Sequence, residues 1–178
     1  MQHQILGEVY QWLKIEMESE SIRGNYRNLL CKSEDIEIGE GNVFSGTGEL
    51  ILSGNGKIKE LYMGDTDSIL LTRNNMLAAD ITTGQTPFST NYLSLMKFSG
   101  PGIVFVSGKE FAEFYLKEAE TVEVRTECIV AMDGTVTFEL GSRFSTLSGP
   151  GAVLLKSSIP FKEDAVKEST EFSLFDQL

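Results

Sequence analysis

At 178 residues, with 41% hydrophobic and 10% aromatic content, the chain is long enough to bury a core without staples and too short to need two domains. A net charge of −11, with Lys and Arg scattered along the sequence, argues against a nucleic-acid partner, because that affinity comes mainly from basic side chains displacing counterions. Two cysteines, Cys31 and Cys128, give neither a disulfide framework nor a metal-binding spacing, and no apolar run reaches the length of a transmembrane segment.

The opening residues carry Glu8, Glu16, Glu18 and Glu20, which speaks against a secretory signal or an Arg-rich transit peptide and points to a cytoplasmic protein. From Val9 to Glu18, Leu13, Ile15 and Met17 alternate with Lys14, Glu16 and Glu18, the period of a half-buried strand. A charged connection is expected to follow, ending near Gly24. Asn25 to Ile38 predicts two short strands about a Lys32-Ser33-Glu34 turn, and Gly39-Glu40-Gly41-Asn42 is a breaker.

A turn-then-strand unit then occurs three times, as Ser45-Gly46-Thr47-Gly48, Ser99-Gly100-Pro101-Gly102 and Ser148-Gly149-Pro150-Gly151, each leading into an apolar run. The first glycines of these units are 54 and 49 residues apart, a spacing that marks internal repetition. Downstream blocks match as well. Glu60-Leu61-Tyr62-Met63 corresponds to Glu113-Phe114-Tyr115-Leu116, and Met76-Leu77-Ala78-Ala79-Asp80 to Ile129-Val130-Ala131-Met132-Asp133.

Gly46, Gly48, Gly100, Pro101, Gly102, Gly149, Pro150 and Gly151 are therefore read as structural turns, since glycine tolerates φ > 0 and proline fixes its own φ. A phosphate cradle would need a Lys-Ser/Thr ending and a following helix, and neither is present. The unbroken Ile103-Val104-Phe105-Val106 suits a strand covered on both faces. Thr121 to Glu127 alternates and so has one wet face, and Asp133-Gly134 predicts a tight hairpin. Helical periodicity is confined to Phe161–Glu168. Short strands at about 8–12-residue spacing predict an all-β sandwich or barrel built from internal repeats.

Gly100-Pro-Gly-Ile-Val-Phe-Val, Thr121-Val-Glu-Val-Arg, Ile129-Val-Ala-Met-Asp133 and Gly149-Pro-Gly-Ala-Val-Leu-Leu-Lys156, with the opening Tyr10-Gln-Trp-Leu-Lys-Ile-Glu16, together resemble the altered-inheritance-of-mitochondria protein 24 family, in its bacterial and archaeal form. The resemblance implies a double-stranded β-helix related to the tryptophan RNA-binding attenuation protein. It also implies self-association, with a homo-trimer as one arrangement. On this reading residues 1–157 form a single β-helix domain, with repeats near 45–80, 99–133 and 148–157, and 158–178 form a C-terminal tail. Two stretches depart from the family pattern, a shortened insertion at Glu37–Phe44 and the tail after Ser157.

Candidate chemistry is sparse. His3 is the only histidine, too few for the imidazole set of a cupin metal site, and is expected to be solvated. Without an adjacent base Cys31 and Cys128 are not activated nucleophiles, and Cys128 beside Ile129-Val130 is expected to be buried and inert. Asp65 and Asp67 lack the rest of a calcium loop and read as turn formers. Asp80 and Asp133 match between repeats, which suggests duplicated turn geometry; the matching Tyr62 and Tyr115 suggest core positions. Phe172, Leu174 and Phe175 in the acidic tail could dock a protein partner or add a strand.

These residues predict no catalytic, metal or cofactor site. The reading they favour is a non-enzymatic, self-associating scaffold or interaction module. A small-ligand binder or cupin-like enzyme with a cavity inside the β-helix is the alternative. RNA binding rests on fold analogy alone and is opposed by the charge.

Overall fold

The computed structural model describes residues 1–157. The tail residues Phe172, Leu174 and Phe175, and the helical pattern at Phe161–Glu168, lie outside them. The described residues form seventeen strands punctuated by short 3-10 turns, and every strand pairing is antiparallel.

After β1 (Gln2–Leu6), the chain writes one six-part pattern three times. The first copy comprises β2 (Trp12–Gly24), β3 (Leu29–Lys32), β4 (Ile36–Ile38) and β5 (Val43–Ser53). The second comprises β6 (Lys57–Met63), β7 (Ser68–Thr72), β8 (Met76–Asp80), β9 (Gly84–Ser89), β10 (Ser94–Ser99) and β11 (Gly102–Gly108). The third comprises β12 (Phe111–Leu116), β13 (Thr121–Arg125), β14 (Ile129–Asp133), β15 (Thr137–Glu139), β16 (Phe144–Ser148) and β17 (Gly151–Lys156). The first copy has fewer strands because β2 and β5 each run without interruption through a stretch that the later copies break in two.

Pairing repeats with the pattern. The last strand of each copy pairs with the copy's own first strand, as β2–β5, β6–β11 and β12–β17. On its other side it pairs with the strand after the 3-10 turn, as β3–β5, β8–β11 and β14–β17. In all three the register slips at one bulged residue, Leu30, Leu77 or Val130. Successive copies are joined by a third pairing. The end of β2 lies against β8 (Gly24↔Ala78, Arg23↔Ala79), and β7 lies against β14 (Leu71↔Ala131, Leu70↔Met132).

The side chains that fix this geometry also recur. Asn28 and Asn75 end equivalent 3-10 turns, and their amides donate to the Ser53 and Ser107 carbonyls at 2.6 and 2.7 Å. Asp80 and Asp133 accept the backbone N–H groups of Ile103 and Ala152 at 3.3 and 2.7 Å. Each pins the start of its copy's last strand. The duplicated turn role expected of these two aspartates is their role here.

Two glycine corners move the chain between sheets. Gly100-Pro101-Gly102 carries it from β10, in the sheet β12-β17-β14-β7-β10-β9, to β11, in the sheet β3-β5-β2-β8-β11-β6. Gly149-Pro150-Gly151 leads from β16 in the small sheet β13-β16-β15 to β17. The first unit differs from expectation, because Gly46 and Gly48 lie inside β5 and not at a corner. Both keep positive φ, 143° and 127°, and a Cβ on Gly46 would overlap the Asp35 carbonyl.

Two further expectations are corrected. The charged stretch up to Gly24 is the second half of β2 and not a connection; a register shift between Met17 and Glu20 lets one strand follow a bend. Asp133-Gly134 does not close a hairpin, since β15 pairs only with β16 while the Gly134 N–H donates to the Ser68 carbonyl at 2.7 Å. The chain leaves one sheet there and joins another, which a two-residue motif cannot reveal.

The buried apolar side chains fall into three clusters, each drawing on more than one copy. The first cluster is centred on Leu13, Ile15, Phe44 and Leu50 but also contains Leu77 and Ala78 of the second copy. The second, around Phe98 and Val104, contains Val130 and Ala131 of the third copy. Each core is thus completed by the bulge of the copy that follows. The third cluster, around Leu116, Ile129 and Leu147, draws only on the second and third copies.

Candidate functional site

The individually conspicuous side chains are structural or solvent-facing. His3, expected to be solvated, is half-buried, because β1 pairs along β2 and brings it beside the second copy. Its Nε2 lies 3.0 Å from Glu60 Oε1 and its ring stands edge-on to Phe105 at 4.9 Å. Glu60 Oε2 accepts the Tyr62 hydroxyl at 2.8 Å, which raises the phenol's pKa above its ordinary value. Tyr62 and Tyr115, expected in the core, are 69% and 64% exposed. They occupy the outward positions of their strands, so their match between copies reflects the repeat and not burial.

Asp67 accepts the Gly64 N–H at 2.7 Å, the local turn bond expected of it. Cys128 is buried, and burial, followed by the Glu127 charge, pushes its thiol pKa up; Cys31 is exposed. No group of three His, Cys, Asp or Glu among the described residues is placed to hold a metal.

The geometry that stands out belongs to two strand edges. The third pairing, which joins copy to copy, has one member missing at each end of the series. In the first copy β3 pairs with β5 alone, whereas its equivalents β8 and β14 are flanked on both sides. In the third copy β13 pairs with β16 alone, whereas β7 is flanked by β10 and β14. Burial follows the pairing. Leu77 and Val130 are 0% exposed, while Leu30, at the same bulge, is 60% exposed. Cys31 and Lys32 are exposed where Ala78, Ala79, Ala131 and Met132 are buried.

The register of the two formed junctions can be carried to the unformed one. Gly24↔Ala78 and Leu71↔Ala131 place Val124 opposite Cys31. Arg23↔Ala79 and Leu70↔Met132 place Glu123 opposite Lys32. The two open edges therefore carry opposite charges at matching positions.

Comparison with known proteins places the chain. A family model described as mitochondrial biogenesis AIM24 matches residues 3–158. The chain belongs to the AIM24 family. The resemblance read from the glycine-corner blocks is thereby borne out. A crystal structure of a Streptococcus pyogenes protein superposes on this AIM24 chain with a TM-score of 0.74 at 15% identity, covering 88% of this chain and 93% of that one. At that identity the likeness shows the fold alone, an all-β arrangement of antiparallel sheets packed in a sandwich-like manner. No curated protein matches the sequence significantly. In this AIM24 chain no helix among the described residues is long and apolar enough to cross a membrane.

Sequence reasoning passed over the AIM24 residues that form the open edges. Leu30 sits in a stretch that was legible only as a short strand, and Glu123 in a strand legible only as half-wet. The signal was present, since Leu30-Cys31-Lys32 aligns with Leu77-Ala78-Ala79, but only the shared bulge reveals the frame.

Proposed function

We propose that the protein is a non-enzymatic, self-associating interaction module whose copies join head to tail, β13 of one subunit lying along β3 of the next. The observation that carries this is the incomplete copy-to-copy pairing: the chain forms the same junction twice and leaves both halves of a third exposed. In that arrangement Leu30 of the incoming subunit enters the third core cluster as Leu77 and Val130 enter the first and second. Open strand edges are ready templates for pairing, and natural proteins cover them, often with another subunit. A lysine on a short edge strand is also a common guard against such pairing. Here a glutamate stands at the matching place on the opposite edge, which turns the guard into a selector for this one partner.

An interface whose halves differ closes into a ring or extends as a row. A closed ring, a trimer included, leaves neither of these two edges open. Stacked copies of one strand pattern also support the reading of the fold as a double-stranded β-helix.

The test is directed cross-linking. Lys32→Cys together with Glu123→Cys, in a Cys31→Ser background, is expected to give covalent oligomers on mild oxidation, while either cysteine alone does not. Reversing Glu123 to Lys should weaken association, and adding Lys32→Glu should restore it. An exposed pair contributes about 0.2–1 kcal/mol, so the rescue, not the size of the loss, is the diagnostic. Wild-type protein that remains monomeric at micromolar concentration, together with a double-cysteine variant that does not cross-link, refutes the proposal.

A further inference from the structure

The junction between the first and second copies holds a recess that the assembly reading does not use. The end of β2 pairs with β8, and the Asn25 N–H donates to the Leu77 carbonyl at 2.8 Å, so the 3-10 turns Tyr26–Asn28 and Arg73–Asn75 are drawn together. Between them and the turn at Gly41-Asn42 lies a cavity of about 760 Å³. Arg23, Arg27 and Arg73 line it, with amides from Asn42, Asn74 and Gln85, and no carboxylate is among the lining residues.

Three of the chain's five arginines meet here, in a protein of net charge −11. Several other cations are engaged. Arg125 and Arg143 lie over the Phe144 ring at 5.7 and 5.5 Å, and Lys14 and Lys59 are ion-paired to glutamates. Among the described residues, none of the three recess guanidinium groups has a hydrogen-bond or ion-pair partner. Arg27 and Arg73 are exposed and can be satisfied by water. Arg23 is half-buried, and its Nη1 is shut off from water and meets no acceptor. A buried N–H donor without an acceptor costs the protein free energy. A residue retained in that state is accounted for by an acceptor that comes from outside.

We propose that this recess binds a small organic phosphate monoester. Guanidinium groups match a phosphate's oxygens with paired N–H donors, and three of them balance a dianion better than a single carboxylate. The volume far exceeds that of inorganic phosphate and falls within the range of small-molecule sites. The surrounding side-chain amides present both donors and acceptors to the hydroxyl or ring groups of an ester's body. This site does not depend on subunit association, since every lining residue belongs to one chain.

The full chain is titrated calorimetrically with glucose 6-phosphate, glycerol 3-phosphate, adenosine monophosphate, inorganic phosphate and succinate, at low salt. At least one ester is expected to bind with a Kd below about 1 mM and more tightly than inorganic phosphate or succinate. Arg73→Gln, at an exposed position, should weaken it about tenfold or more, and Arg143→Gln should leave it unchanged. Arg23→Met keeps the aliphatic stem and removes the orphaned charge. It should abolish binding while raising the melting temperature of the ligand-free protein by about 2–4 °C. No ester binding up to about 10 mM overturns the proposal. So does inorganic phosphate binding as tightly as every ester, or wild-type affinity in both Arg73→Gln and Arg23→Met.

Discussion

Replacing Leu30 with Ser tests the proposed assembly at the point where its energy would be concentrated. Leu30, Leu77 and Val130 occupy the same bulge in three copies of one strand, at 60%, 0% and 0% exposure. Burying a whole leucine side chain contributes about 1.5–3 kcal/mol, so covering the part of Leu30 still open would contribute about 1–2 kcal/mol at each contact of the proposed kind. Its loss corresponds to roughly a 5- to 30-fold weaker association. The isolated subunit should scarcely notice, because serine at an exposed edge creates no cavity. Leu77→Ser is the control. The same change at a fully covered position removes a core side chain and should cost about 3–5 kcal/mol of folding stability. Sedimentation equilibrium over a concentration series measures the first effect, and urea melts measure the second. Leu30→Ser assembling with wild-type affinity, or melting as early as Leu77→Ser, would show that the bulge is not a subunit contact.

Three other outcomes follow from local geometry. Gly46→Ala should destabilise by about 2 kcal/mol or more in denaturant melts, since φ is +143° and the new methyl meets the Asp35 carbonyl; Gly41→Ala, with φ +67° and open space around it, should cost no more than about 1–2 kcal/mol. With a thiol reagent, exposed Cys31 should react at once and buried Cys128 only after unfolding, its raised pKa keeping it protonated. Tyr62 should ionise at a higher pH than a free phenol in an ultraviolet titration, and Glu60→Gln should reduce the shift. Because the folded pKa is raised, this bond's contribution is fully present below the ordinary tyrosine pKa and is lost as pH rises through the folded value.

The repeat was legible because glycine, proline and aspartate have few uses, and Gly100-Pro101-Gly102 and Gly149-Pro150-Gly151 hold one corner twice. It was less legible in the first copy. There Gly46-Thr47-Gly48 serves a bend inside a strand, and no spacing rule separates a bend from a corner when both need positive φ. The exposed Tyr62 and Tyr115 show a different limit: identity between copies reports equivalence, while burial depends on which face each strand turns inward. The arginine recess was hidden altogether. Arg23 and Arg73 are fifty residues apart in sequence and become neighbours only through the β2–β8 junction. The open strand edges were hidden for the opposite reason. Leu30 has an ordinary strand sequence, and its oddity lies in lacking a neighbour that its counterparts possess.

One consequence arises from the unlikeness of those two edges. Because β3 belongs to the beginning of the series and β13 to its finish, a row of subunits has polarity, and each member presents one face of each kind. A subunit damaged at only one edge remains able to join through the other. Mixed with intact copies it would terminate a row and prevent a circle from closing, so a minority of altered chains would disable an excess of sound ones.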